Sequence, residues 1–334
     1  MTWHYPRIRL HGVHSLEEET GEQLLAREVI HFAFYLPHDH QDMSVGVSQA
    51  FHRYMRAVGE GPETLSACAF GTSSYGPLSS ERWTRIHQLL SPNRPFRYAE
   101  DCTDAYRLQE MEKHGHETWI HLGGAGGLTG FKLIYSARIP SRDRRSSDPD
   151  VSYLEGTLPT EYLEERGPAQ IRALMIDIAS DLPFASGHAG LSFDSVAGDV
   201  FFTPRVRAEF LRHPGLSLHH GSTPSTMGTR VDGVHWLNFL GPPVLQSLDG
   251  ADTLRARLHS PETTVEALGE ARALVTLGAW PEAGDLDQGT DLPDYRELGR
   301  VLKPWLDKPF DNPRFRIEGF SREEALMWSR RFLD

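Results

Sequence analysis

Several places in the sequence hold residue types that could do chemistry. His38-Asp39-His40, with Asp42 close behind, offers two imidazoles and two carboxylates, a set that can ligate zinc. No cysteine or second histidine pair follows at ligand spacing, and Pro37 beside these polar residues equally reads as a turn. His213, His219 and His220 sit among Ser217, Ser222, Ser225 and Thr226. A serine hydrolase needs its serine within hydrogen-bond reach of a histidine oriented by a carboxylate. Nearness in sequence does not supply that, and the chain has no Gly-x-Ser-x-Gly elbow. The run Gly123–Gly127 invites a phosphate-loop reading, but the third glycine position holds Thr129 and no Gly-Lys-Ser/Thr follows. A glycine-rich hairpin turn fits better, with a flexible contact loop as its functional alternative. Asp285 and Asp287 could hold a divalent cation or share a proton. Their setting, Gly-Asp-Leu-Asp-Gln-Gly, is one where Asp commonly satisfies backbone N–H groups.

The elements that must position these residues follow from periodicity and punctuation. Val29–Leu36 is β-branched and aromatic and predicts a buried strand. Val47, Phe51, Tyr54, Met55 and Val58 recur at helical spacing, and Leu65–Phe70 predicts a short strand. Ser79 or Ser80 caps a helix that ends before Pro92. Thr118–His121 and Leu128–Ile139 predict strands on either side of the glycine run. Thr160 is the expected cap of a helix broken at Gly167-Pro168, and His188–Val196 is an expected strand. Thr203-Pro204 opens a helix through Leu211. Val231–Leu240 predicts a strand entering the core. Thr263–Leu268 and Ala271–Leu277 predict a hairpin with a two-residue loop at Gly269-Glu270. A helix is expected over Asp291–Leu306, distorted near Pro304. Ser321-Arg322-Glu323-Glu324 is a capping box, which lets Ala325, Trp328 and Phe332 dock on the body. The polar, proline-containing stretch 140–151 divides the chain into expected lobes 1–150 and 151–334, unless the whole is one domain.

The chain has 334 residues, 39% of them apolar and 10% aromatic, enough for a sizeable core. No apolar run is long enough to span a membrane, and Met1–Leu10 does not resemble a signal peptide. With Cys68 and Cys102 as the only cysteines, reduced thiols in a cytoplasmic protein are expected. Lys and Arg number 34 against 46 Asp and Glu, a net charge of −12. That excess disfavours direct nucleic-acid binding and suits either no charged partner or a basic one. Between Glu262 and Glu297 nine acids face two bases. Glu282, Asp285, Asp287 and Asp291 are therefore candidate contacts for a basic partner, and Tyr75, between Gly71 and Pro77, is a candidate aromatic anchor.

The most distinctive stretches fix shape rather than chemistry. They are Gly-Val-His-Trp-Leu-Asn-Phe-Leu-Gly at Gly233–Gly241, Leu-Asp-Gly at Leu248–Gly250, Pro-Glu-Ala-Gly-Asp at Pro281–Asp285 and Leu-Pro-Asp-Tyr-Arg from Leu292. With Leu158–Leu163 and His188–Phe193, these blocks resemble, in order, the type VI secretion immunity family encoded beside VRR-Nuc and related nuclease effectors. The resemblance covers roughly Val29 to Leu306. It implies a cytoplasmic protein that binds and silences a toxin, with no cofactor and no catalysis of its own. The expected fold is α+β, an antiparallel or mixed sheet covered by helices. The expected partner is a nuclease domain whose active site or DNA-binding surface is occluded. The alternatives are a metal-dependent hydrolase drawing on the 17 histidines, His38 and His40 among them, and a scaffold that loads an effector.

Overall fold

In the computed structural model, residues 5–12, 23–70, 75–92, 109, 118–124, 128–138, 151–195, 204–217, 227–306 and 319–333 are described. In chain order, β1 (Arg9–Gly12) precedes β2 (Gln23–Leu36), α1 (His40–Val58), β3 (Ala67–Phe70), β4 (Gly76–Pro77) and α2 (Ser80–Leu90). Next come β5 (Thr118–Gly123), β6 (Lys132–Ala137), β7 (Ser152–Pro159), α3 (Thr160–Arg166), α4 (Pro168–Ala179), β8 (Ser186–Ser195) and α5 (Pro204–Arg212). The remainder holds β9 (Leu237–Leu240), α6 (Pro242–Ser247), α7 (Gly250–Arg257), β10 (Thr263–Ala267), β11 (Ala273–Leu277), α8 (Pro293–Leu302) and α9 (Arg322–Ser329). The strands make one antiparallel eleven-stranded sheet, ordered β10-β11-β9-β8-β2-β7-β6-β5-β3-β4, with β1 beside the start of β2. This is an α+β fold. The sheet runs unbroken past position 150, because β2 bonds β7 on one side and β8 on the other. Among the described residues no helix is long and apolar enough to cross a membrane.

β2 organises the molecule because its two faces differ. Successive side chains point to opposite faces of a strand, so Ile30, Phe32, Phe34 and Leu36 share one face. Leu154, Leu158, Phe184 and Phe239 join them there, with Phe34 5.1 Å from Phe239 and Phe32 5.8 Å from Tyr54 of α1, ring to ring. Each buried aromatic stabilises the fold by about 1.5–3 kcal/mol. The other face carries His31, Ala33 and Tyr35 beside Glu155 and His188, all buried. A second core forms where α6, α7 and α8 cover β9, β10 and β11, around Leu245, Leu254, Val275, Tyr295 and Leu298.

Local signals decide most element ends. Ser79 accepts from the Arg82 N–H, and Ser321 and Glu324 form the expected capping box. Gly167, at φ +79°, separates α3 from α4. Other expectations need correction. Thr160 is the first residue of α3, after Pro159 as cap. Its hydroxyl is drawn inward instead, donating to the buried Glu28 at 3.1 Å. Of the expected strand from Val231, only Leu237–Leu240 joins the sheet, while Val231 makes an isolated bridge to Leu306. Asn238 folds back to accept from the His235 N–H and donate to the His235 carbonyl, which makes a turn before the strand. The β10–β11 loop has three residues rather than two, since the Leu268 N–H still reaches the Arg272 carbonyl at 2.7 Å. The stretch 140–150, the glycines at 126 and 127, Thr203, Cys102 and residues 218–226 with His219, His220, Ser222, Ser225 and Thr226 lie outside the described residues.

Candidate partner-binding surface

The acidic segment forms a pinned turn after β11. Asp285 caps a single 3-10 turn, Leu286–Gln288, accepting from the N–H groups of Asp287 and Gln288 and from the Gln288 side chain. Arg212, at the end of α5, donates to both Asp285 oxygens, at 2.8 and 2.6 Å. Such a bidentate pair is stronger and more directional than a single contact. The Arg212 hydrogen bonds hold the Asp285 carboxyl down at about 2. Asp285 and Thr290 exchange backbone hydrogen bonds, and Gly289 closes the turn at φ +70°.

The same end of α5 clamps the segment from behind. The ring of His213 bonds the Gly284 carbonyl through Nδ1 at 2.5 Å, and the Gly215 N–H donates to Ala283 at 2.8 Å. A Cβ on Gly215 would lie 2.0 Å from the Glu282 carbonyl oxygen, so only glycine admits this approach. A polar cleft of about 530 Å³ opens beside the turn, lined by Tyr5, Arg7, Glu209, Glu282, Asp285 and Gln288, among others.

The five residues singled out from sequence thus have different surroundings. Asp285 is mostly enclosed by its own turn and Arg212. Asp291 is paired with Arg296 at 2.8 and 3.0 Å, whose hydrogen bonds also lower its pKa. Glu282 lines the cleft. Asp287 has 74% of its side chain exposed, with Arg212 3.3 Å away. Tyr75 sits between β3 and β4, its ring edge-on to His121 at 5.2 Å and its hydroxyl against Gly123. The acidic turn follows β11, toward the other end of the strand order, so the fold does not bring Tyr75 and the turn together through the sheet.

The structure also gathers a buried polar seam that local sequence reasoning missed. His31 Nδ1 and His188 Nε2 lie 3.3 Å apart. Glu155 is 3.7 Å from His31 Nε2, and Asp232 is 3.8 Å from His188 Nδ1. Tyr35 donates to Asp232 at 2.8 Å. His235 stacks on His188, centroids 3.7 Å apart and planes 9° from parallel. Burial, then the nearby Arg331, keeps His235 neutral, its pKa well below the usual imidazole value. The visible signal was that His188 and His235 each fall in a block carrying the family resemblance.

His188, Asp232 and His235 each present a ligand atom within 4.8 Å of the others, so the seam must be weighed as a metal site. Tetrahedral zinc with nitrogens at about 2.1 Å would set two imidazole centroids about 5 Å apart, neither ring over the other. Stacked, nearly parallel rings keep their lone pairs in two separate planes, so one ion cannot lie on both lone-pair axes. These residues instead bind the segment 231–236 to the sheet. His40 is likewise committed, its ring nitrogens meeting the Tyr135 hydroxyl at 2.8 Å and the Ser91 carbonyl at 3.1 Å.

Comparison with known proteins agrees with the architecture. No curated protein matches the sequence. A solved structure, the Pseudomonas aeruginosa T6SS protein PA0821, superposes with a TM-score of 0.66 at 19% identity, covering 97% of this chain and 87% of that one. At that identity the likeness establishes a shared fold. The family model TsiV, described as type VI immunity for VRR-NUC, matches residues 123–332. That span takes in β6 through α9, including the pinned turn and most of the buried seam, and the chain belongs to this type VI immunity family.

Proposed function

We propose that this chain is a cytoplasmic immunity protein that binds a VRR-NUC nuclease toxin and silences it by covering the active site or the DNA-binding surface. The observation that carries the reading is the family match over residues 123–332. The charge balance supports it physically. A nuclease needs a positive groove for phosphates, and a partner of net charge −12 is attracted to such a groove from a distance. Inhibition here is occlusion, and no cofactor or reaction of the immunity protein takes part. Glu282, Asp287 and Asp291 lie on the acidic side that would face the toxin, and Tyr75 would contribute only through a second contact area.

The test is co-expression with the VRR-NUC toxin domain encoded beside this chain, followed by affinity capture and a DNA-cleavage assay. A stoichiometric complex without cleavage is expected. A complex that still cuts DNA would instead favour an effector-loading scaffold, and no complex at all would sink the proposal.

A further inference from the structure

We infer that Leu286 is the apolar anchor by which this chain docks its toxin, seated in a shallow apolar pocket of the partner rimmed by basic side chains. The inference rests on the immunity reading and assigns its contact point.

Among the described residues the exposed large hydrophobics are Val45, Tyr75, Leu286 and Met327. A single exposed apolar side chain is ordinary on a protein surface. Leu286 differs in its setting. Val45 and Met327 lie on helices, whereas Leu286 opens the 3-10 turn that Asp285 caps and Arg212 grips with two hydrogen bonds. The backbone exchange between Asp285 and Thr290 closes the turn at its base. The turn is therefore ordered before any partner arrives, which removes much of the entropy cost that association otherwise carries. The adjoining cleft of about 530 Å³ makes the surface a ridge beside a hollow, a relief that interlocks better than a flat patch.

The surroundings define the partner's chemistry. Leu286 is 49% exposed, next to Asp287, whose carboxylate reaches solvent, while in the hollow Glu209, Glu282 and Asp285 outnumber Arg7 and Arg212. An apolar pocket ringed by Lys or Arg complements this pattern, and an acidic rim would be repelled. Roles divide accordingly. Asp285 and Arg212 are positioning residues with their hydrogen bonds spent inside the turn, and Leu286 and Asp287 make contact.

The test measures binding of the purified toxin domain to the full chain and to the variants Leu286→Asp, Leu286→Ala and Val45→Asp. Leu286→Asp should weaken binding about a hundredfold or more and Leu286→Ala about tenfold. Thermal unfolding should be unchanged in both, because the side chain supports no core. Val45→Asp, at an exposed position of α1 outside the turn, should bind like the wild type. Asp287→Lys should slow association and flatten its salt dependence. If both Leu286 variants bind like the wild type, the anchor is overturned and the immunity reading stands. If the wild type itself does not bind, the immunity reading falls and the anchor with it.

Discussion

Gly215→Ala tests whether the acidic turn is held from behind by α5. The new Cβ would meet the Glu282 carbonyl oxygen at 2.0 Å and the Ala283 Cα at 2.9 Å. Both are backbone atoms, so no side chain can rotate away. Restoring ordinary contact requires the strand of chain at Glu282–Ala283 to retreat by about 1.4 Å, a form of overpacking that costs about 1–3 kcal/mol. The retreat also stretches the Gly215 hydrogen bond to Ala283, now 2.8 Å, worth about 1 kcal/mol net. The sum is about 2–4 kcal/mol, read as a lower urea midpoint with unchanged slope. Because the displaced residues lead directly into the turn at Asp285, toxin affinity should fall as well, under conditions where the variant remains folded. A variant with wild-type stability would refute the clamp. Lost stability with wild-type affinity would refute the link from the clamp to the binding surface.

Other perturbations probe separate parts of the fold. His121 is held neutral by burial and then by Lys132, its pKa lowered from 6.5 to about 4. The unfolded chain takes up that proton first, so stability is full above pH 6.5 and falls toward pH 4. The loss is on the order of 2 kcal/mol at pH 5, and His121→Gln should flatten that part of the stability–pH curve. Glu28 is buried and accepts from Arg7, Thr160 and the Ile8 N–H. Arg7 keeps its pair with Glu164, so Glu28→Ala strands chiefly the Ile8 N–H and the Thr160 hydroxyl and should lower unfolding stability by about 1–3 kcal/mol. Gly46→Ala would put a Cβ 2.2 Å from the Asp181 carbonyl and should cost about 1–3 kcal/mol in the same assay. Added zinc should leave the unfolding temperature unchanged. A zinc-dependent rise abolished by His235→Ala would overturn the stacked-ring account.

The parts of the fold legible in the sequence are those set by local chemistry. Val29–Leu36 is an apolar run of β-branched and aromatic residues, and it lies in the central strand. Ser321 and Glu324 sit three apart and cap a helix. Gly167 precedes a proline and breaks one. The errors came where a side chain chose a distant partner over its own backbone. Thr160 serves Glu28, 132 residues away, and not its own helix N–H groups. Asn238 spends its amide on His235, so the expected strand begins late. The seam of His31, Glu155, His188, Asp232 and His235 could not be read locally, because β2, β7, β8 and a loop meet only through the sheet. The turn at Asp285 was legible as a turn. The Arg212 that grips it is 73 residues upstream, and nothing in local spacing connects the two.

That hidden pairing changes what the acidity can do. Within the segment chosen for its charge, Arg212 answers Asp285 and Arg296 answers Asp291, so the local field is weaker than a count of carboxylates suggests. The chain's net charge of −12 is untouched by internal pairing, and it acts at distances of about 8–10 Å in physiological salt. Long-range attraction toward a basic partner therefore belongs to the whole molecule, while a short-range grip must come from the few groups with contact capacity left. Encounter and grip are then separable. Salt should chiefly alter how fast the complex forms, whereas an apolar change at Leu286 should chiefly alter how long it lasts. The Asp285–Arg212 pair serves a third purpose, holding the turn that presents Leu286, which is how a carboxylate can be essential to recognition without touching the partner.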